Sequence, residues 1–315
     1  MRILITPTSL SRTPEAAVLA PLRQLADELV FNTLGRPLTS AELAEALQGV
    51  DGVIAGLDAY DSAALAGADR LRVISRYGVG VNNVDLEAAA ARGIHVTRTP
   101  GANASAVAEL AIGLAFAVAR EIPRLHAEVT QGGWPRGSGI ELSGRTLGVV
   151  GFGAIGRIVA DRARGLGMQV VAYDPFVPAS GISATGATAV NLDELFRQAD
   201  VVSLHVPLLD STRHVADAGR IASMKPGSIL LNTSRGGLID EAAARAALDS
   251  GHLFGVGLDA YETEPPQDSP LLGHPRVVAT PHSGAHTAEA VERMSTGSIR
   301  NLIDELSGRP SEHRV

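Results

Sequence analysis

Between Leu147 and Asp174 the chain runs LGVVGFGAIGRIVADRARGLGMQVVAYD, and no other stretch restricts the fold as tightly. An apolar run of strand length, Thr146-Leu147-Gly148-Val149-Val150, meets a turn at Gly151-Phe152-Gly153-Ala154-Ile155-Gly156. Helical spacing follows from Ile155 to Leu166, and a second apolar run, Met168 to Tyr173, stops at Asp174. Each glycine has its own use: Gly151 turns the chain sharply out of a strand, Gly153 leaves room for a pyrophosphate, and Gly156 lets the helix pack close to the sheet. The helix N-terminus then points free N–H groups and the positive end of its dipole at the phosphates. A glycine-rich turn alone is weak evidence in a chain with 34 glycines, where ordinary turns match by chance. Strand, turn, helix and acid in this order favour a dinucleotide site.

Asp174 lies 18 residues past Gly156 and selects among dinucleotides. A carboxylate there accepts hydrogen bonds from both ribose hydroxyls of the adenosine half and repels a 2′-phosphate. Pro175, Phe176 and Val177 follow, with no arginine to neutralise such a phosphate. NAD is therefore expected in preference to NADP.

At 315 residues the length suggests two domains with substantial cores. A hydrophobic share of 45% with 19% charged residues belongs to a globular soluble chain. No run approaches the roughly 20 apolar residues of a membrane span; Ala106 to Ala119 comes nearest and contains Glu109. The start, MRILITPTSL, lacks a basic region followed by a long apolar one, so a cytoplasmic location is expected. The absence of cysteine excludes disulfides, thiolate metal sites and a cysteine nucleophile. A net charge of −7 provides no basic stripe for nucleic acid. Anionic substrates are only mildly disfavoured, since screening over about 8 Å leaves local arginines to decide.

Residues 1–98 alternate strand-like and helix-like segments, which predicts a parallel sheet. Arg2 to Thr6 is expected as a strand, Pro14 to Leu29 as an amphipathic helix, and Leu29-Val30-Phe31 as a short strand. A helix capped by Thr39 or Ser40 follows to Gln48, then strands at Val53 to Ala55, Leu71 to Ile74 and Ile94 to Val96. Asn103 or Ser105 is expected to cap one long helix reaching about Val129. Past Asp174 the pattern predicts a helix at Leu192 to Gln198 and strands at Val201 to Val206 and Ser228 to Asn232. A helix at Glu241 to Leu248, strands at Phe254 to Leu258 and Val277 to Ala279, and a helix from His286 to Leu306 complete it. The expected class is α/β: two Rossmann-like, doubly wound parallel-sheet domains with an active-site cleft between them. The expected division is 1–98 plus 283–315 for substrate and 99–282 for NAD, the last helix returning to the first domain.

Ser75 to Asp85, SRYGVGVNNVD, interrupts the early rhythm after a strand and before a helix. Gly78 and Gly80 flank Val79 and offer bare backbone N–H groups, a carboxylate cradle or simply a tight turn. Three later strand ends supply reactive side chains: Arg235 after ILLNTS, Glu264 after GVGLDAYET, and His282 after VVATP. Carboxyl ends of parallel strands converge on the ligand crevice, so residues remote in sequence can meet there. Taken singly, each has a bland explanation as a solvated arginine, a turn carboxylate, or one of nine histidines.

The chain resembles the D-isomer-specific 2-hydroxyacid dehydrogenases, nearest to D-3-phosphoglycerate dehydrogenase-like members. The resemblance covers nearly the whole chain and rests on SRYGVGVNNVDLEAAAARGIHV, TPGANASAVAEL, LSGRTLGVVGFGAIGR, LHVPLLDSTRHV, MKPGSILLNTSRGGLIDEAA, GLDAYETEPP and TPHSGAHT. It implies a catalytic set of Arg235, Glu264 and His282, with the substrate carboxylate on the backbone of Gly78, Val79 and Gly80 and with Asn103 near the cleft. It places Gly151, Gly153, Ala154, Ile155 and Gly156 at the pyrophosphate, Asp174 at the ribose, and Val206, Pro207 and Thr212 at the adenosine half. Thr233, Asp259 and Gly284 would line the nicotinamide half. A homodimer through the NAD-binding domain is also implied.

Residue chemistry agrees with hydride transfer between nicotinamide and C2 of a 2-hydroxy or 2-oxo acid. Charge develops on the carbonyl oxygen, and a histidine near neutral pH can protonate it, a contribution of about 10² to 10⁴ in rate. Glu264 beside the other ring nitrogen would fix the tautomer, and the planar, always charged Arg235 can grip a carboxylate. No metal is needed. Phosphoglycerate dehydrogenases carry an arginine for the substrate phosphate after the strand equivalent to Gly52 to Gly56. Here Leu57-Asp58-Ala59-Tyr60 follows, and Asp58 is expected to repel a phosphate, whereas Arg136 resembles a second arginine of that group. The substrate is thus a small 2-hydroxy or 2-oxo acid such as 3-phosphoglycerate, glyoxylate or hydroxypyruvate. With no C-terminal regulatory domain, allosteric serine inhibition is not expected. An NAD-sensing corepressor-like protein and a phosphite-type dehydrogenase are the alternatives, because fold and site residues do not by themselves fix function. Glu264 argues against formate dehydrogenases, which use glutamine.

Overall fold

The computed structural model describes residues 1–315, which divide into two compact units, Met1–Asn103 with His286–Val315, and Ala104–Ala285. The first unit contains β1 (Arg2–Ile5), α1 (Thr8–Ser11), α2 (Ala20–Leu25), β2 (Glu28–Phe31), α3 (Ser40–Ala46), β3 (Gly52–Ala55), α4 (Ser62–Ala66), β4 (Val73–Arg76), α5 (Leu86–Ala91) and β5 (His95–Thr97). The strands form one parallel sheet in the order β2-β1-β3-β4-β5. They are apolar on both sides because both faces are covered. Leu4, Val53 and Ile74 pack with Leu43, Leu47 and Leu65 on one face. Ile3, Ile5 and Val73 pack with Ile299, Leu302 and Leu306 of the C-terminal helix, Ala288–Leu306, on the other. Ser75 Oγ also donates to the carbonyl of Ser298 at 2.8 Å.

The second unit contains α6 (Ala104–Ala119), α7 (Ile122–Thr130), β6 (Thr146–Val150), α8 (Ala154–Gly165), β7 (Gln169–Tyr173), α9 (Ala179–Ser183), β8 (Thr188–Ala189), α10 (Leu192–Gln198), β9 (Val201–Leu204), α11 (Ala218–Ser223), β10 (Ser228–Asn232), α12 (Glu241–Asp249), β11 (Leu253–Leu258) and β12 (Val277–Ala279). All seven strands are parallel, in the order β12-β11-β10-β9-β6-β7-β8. From β6 the chain winds outward through β7 and β8, then crosses back to β9 on the opposite side of β6. That reversal opens a crevice at the carboxyl ends of β6 and β9, where ligands of such sheets bind. Leu114 and Val118 of α6 and Val159 of α8 cover one face, over Val149 and Leu231. Leu195, Ile221 and Leu248 from α10, α11 and α12 cover the other, over Leu204, Leu230 and Leu258.

Two expectations about helices are corrected. The segment from Asn103 to Val129 is two helices, broken where Glu121 takes a left-handed φ of 53°. Pro123 has no N–H for the carbonyl of Ala119, four residues back, which accepts instead from the amide of Ile140 at 2.8 Å. The helix expected over Pro14 to Leu29 shrinks to a single 3₁₀ turn, Ala17–Leu19, and α2. Glu28 and Leu29 are drawn off to pair with Arg2 and Ile3, so strand pairing overrides helical spacing. At α3 the cap is Thr39, in a reciprocal capping box with Glu42.

Candidate active site

The crevice side of the second unit begins with the turn after β6. Gly151 has φ 95°, and a Cβ on it would lie 2.6 Å from the carbonyl oxygen of His205. A Cβ at Gly156 would overlap the Gly151 carbonyl, so only glycine lets α8 start this close to the sheet. Gly153 precedes α8 without a side-chain cap, and a Cβ there meets nothing within 4 Å. The amides at the start of α8, including Ala154 and Ile155, are thus left facing an open approach, the arrangement a pyrophosphate requires. Asp174, just past β7, accepts from the amide of Phe152 at 2.7 Å and from that of Phe176 at 2.8 Å. These bonds fix its carboxylate beside the turn. Val206 and Pro207 follow β9, and the Thr212 hydroxyl closes their loop by donating to the Pro207 carbonyl at 2.6 Å. Thr233 follows β10 with a buried hydroxyl that has no partner in the protein. The residues present fit a dinucleotide.

Arg235, Glu264 and His282 all belong to this unit and are brought together beyond β10, β11 and β12. Nδ1 of His282 lies 2.9 and 2.8 Å from the two oxygens of Glu264. A carboxylate only accepts, so Nδ1 carries the proton and Nε2 is left as the atom that can exchange one with a ligand. The ring and the carboxylate are 27% and 32% exposed, open enough to meet a small molecule. Burial pushes the Glu264 carboxyl up, but the hydrogen bond and charge of His282, the amide of Tyr261 and the charge of Arg235 outweigh it. Glu264 therefore titrates below the ordinary carboxylate range. Burial draws Arg235 down, with Glu264 opposing; guanidinium remains charged throughout. Its orientation is tied down by Nη1 donating to the Ser234 carbonyl at 2.7 Å and by Asn232 donating to its own carbonyl at 2.7 Å.

His282 is held in a left-handed conformation, φ 49°, which costs a non-glycine residue of order 1 kcal/mol or more. Asp259, buried past β11, keeps it there. It accepts from the Thr280 hydroxyl at 2.6 Å, the Ser283 amide at 2.7 Å and the Gly284 amide at 2.8 Å.

In the first unit, Tyr77 to Gly80 follow β4. Gly78 has φ 146°, and its carbonyl accepts from the amide of Thr99 at 2.9 Å, while the amides of Gly78, Val79 and Gly80 have no acceptor in the protein. Beneath the loop is Arg76, a strand residue that spacing had left outside β4. It is buried and donates to the carbonyl of Gly80 at 2.9 Å and to those of Ala55 and Gly56. Asn103 closes this unit with a buried Oδ1 that lacks a partner, as does the Thr99 hydroxyl. Arg136 lies in the second unit on the exposed loop after α7.

The reading of Asp58 as a carboxylate facing a ligand is corrected. Asp58 is 1% exposed, and its oxygens accept from the amide of Leu38 at 2.8 Å and from the hydroxyls of Thr6 and Tyr60. It is turned into the unit because these donors satisfy a buried charge that would otherwise be costly. The side chain exposed after β3 is instead Leu57, at 46%. Tyr261 was not singled out from the sequence; only its place in GLDAYETEPP, three residues before Glu264, could have drawn notice.

Residues 112–284 match the family model for the D-isomer specific 2-hydroxyacid dehydrogenase, NAD binding domain. The chain belongs to the D-isomer specific 2-hydroxyacid dehydrogenase family. It is 42% identical over 297 residues to a hydroxypyruvate reductase of Thermotoga maritima, covering 91% of this chain and 96% of that protein. It is 44% identical over 251 residues to a D-3-phosphoglycerate dehydrogenase of Methanocaldococcus jannaschii, covering 79% of this chain but only 48% of that one. The chain thus spans about half the length of that relative. The crystal structure of the TT0316 protein from Thermus thermophilus superposes with a TM-score of 0.87 at 39% identity, over the full length of both chains.

Proposed function

We propose that this chain is an NAD-dependent D-2-hydroxyacid dehydrogenase that reduces small, unphosphorylated 2-oxo acids such as hydroxypyruvate or glyoxylate. The observation that carries the reading is the His282–Glu264 pair beside Arg235, in the unit that matches the family's NAD-binding domain. NADH, held by Gly151 to Gly156 and Asp174, supplies the hydride. Arg235 grips the substrate carboxylate and polarises the neighbouring carbonyl, which a planar guanidinium can do at once. Nε2 of His282 gives its proton to the carbonyl oxygen in reduction and takes one from the alcohol in oxidation. Glu264 fixes the tautomer by accepting from Nδ1. In the first unit, the unengaged amides of Gly78, Val79 and Gly80 suit a carboxylate. Hydroxypyruvate is favoured over a phosphorylated acid by the near full-length relative and by an exposed leucine, rather than a cation, after β3. Preference for NAD rests on Asp174, whose held carboxylate would repel a 2′-phosphate. A homodimer through the second unit is supported by apolar side chains left exposed on and after α7: Ile122, Val129 and Trp134.

The test is NADH oxidation against glyoxylate, hydroxypyruvate, pyruvate and 3-phosphohydroxypyruvate, with NADPH in parallel. Turnover confined to unphosphorylated acids and NADH is expected. Strong preference for 3-phosphohydroxypyruvate would overturn the substrate reading. A fully active His282→Ala variant would overturn the mechanism, and parity of NADPH with NADH the role of Asp174.

A further inference from the structure

Three loops that are remote in sequence must hold Arg235, Glu264 and His282 in fixed relation, and one residue meets all three. Tyr261 is buried, 6% exposed, and packs in the core with Leu238, Leu258 and Leu271. Its amide donates to Glu264 Oε1 at 3.1 Å. Its phenol donates to the carbonyl of Thr280 at 2.8 Å, and that same carbonyl accepts from the backbone amide of His282 at 3.0 Å. Gly236, next to Arg235, lies so close that a Cβ on it would overlap the peptide joining Tyr261 and Glu262. Backbone, amide and phenol of one residue therefore meet the arginine loop, the glutamate loop and the histidine turn.

We propose that Tyr261 is the positioning residue that sets the mutual geometry of the three reactive side chains, its phenol fixing the height of the His282 turn against Glu264. The inference rests on the reading of these three as the catalytic set. Burial pushes the phenol up to about 12, with Asp259 and Glu264 adding to it, so the hydroxyl stays a donor at every working pH. A left-handed residue such as His282 keeps its conformation only if its surroundings impose it. Asp259 grips the turn through Thr280, Ser283 and Gly284, from its place just past β11. Only the phenol ties that turn to the residue that also holds Glu264.

Tyr261→Phe removes one hydroxyl and keeps the ring in its core. With hydroxypyruvate and NADH, kcat is expected to fall about tenfold, since displacements of under 1 Å in a catalytic group cost this much or more. KM for both substrates is expected to stay within about twofold, because neither the glycine turn nor the guanidinium is touched. The melting temperature should drop by only about 2–4 °C for a unit of this size. In NMR spectra of the enzyme, the low-field Nδ1–H resonance of His282 should weaken or move, a readout that needs no turnover. Unchanged kcat and an unchanged resonance, beside a dead His282→Ala control, would overturn the positioning role and leave the catalytic reading intact. An active His282→Ala variant would overturn the catalytic reading instead.

Discussion

Glu264→Gln isolates what the charge of this carboxylate does for His282. The native side chain presents two acceptor oxygens, 2.9 and 2.8 Å from Nδ1. Glutamine keeps the shape but offers one carbonyl oxygen and an amide group that cannot accept. Hydrogen bonds to a charged partner contribute about 1.5–3 kcal/mol and neutral ones about 1 kcal/mol, so the ring loses about 0.5–2 kcal/mol of support. The two side chains are 32% and 27% exposed, and solvent screening keeps the effect to about 1 kcal/mol. Near neutral pH that corresponds to a roughly fivefold loss of rate. The assay is the initial velocity of NADH oxidation with hydroxypyruvate at neutral pH. Wild-type Glu264 stays ionised at this pH, because its partners hold it below the ordinary carboxylate range despite burial. NADH affinity, followed by fluorescence, should not change. A variant that turns over as fast as the wild type would refute the assignment of Glu264 as the partner that holds the His282 ring.

Gly156→Ala should cut NADH affinity at least tenfold in a protein that still folds, because its Cβ would overlap the Gly151 carbonyl and force α8 off the sheet. Overpacking of this kind costs about 1–3 kcal/mol, and fluorescence titration that finds normal NADH binding would remove the glycine turn from the site. Glu305→Gln tests the end of the chain, where a carboxylate 1% exposed accepts from the amide of Ser311 at 2.8 Å, from His95 Nδ1 at 2.8 Å and from Arg314. Burial pushes this carboxyl up, but the Arg314, Ser311 and His95 bonds outweigh it and leave it lowered. A depressed folded value means stability that is present above the unfolded value and lost as pH falls through the folded one. The variant should therefore be about 2–3 kcal/mol less stable at pH 7 and converge on the wild type at an acid pH below the ordinary carboxylate range. Equal destabilisation at both pH values in thermal melts would show that the loss is not electrostatic.

Much of the fold was legible because its signals are local. The helix Leu192–Gln198 and the strand Ser228–Asn232 begin and end where spacing puts them, each announced by a cap or an apolar run. The failures fall where a partner remote in sequence decides. Glu28 and Leu29 had helical spacing but were claimed by β1, and the helix after Asn103 broke because a proline withheld one amide. Asp58 was misjudged for the same kind of reason. Its place after β3 matches that of a phosphate-holding arginine in the dehydrogenases the chain resembles, and only the folded unit shows Thr6 and Leu38 arriving from elsewhere to satisfy it.

By itself the sequence determined the α/β class, the dinucleotide turn and the acid that closes it, because strand, turn and helix lie within thirty residues and each constrains the next. It also named Arg235, Glu264 and His282, though three separate loops give no spacing that binds them together. Only the tertiary structure decided that Nδ1 of His282 faces Glu264, that its turn is left-handed and that Tyr261 joins the three loops. The physical reason is that hydrogen bonds between strand ends depend on how a parallel sheet orders its strands, and that order is set by packing on both faces.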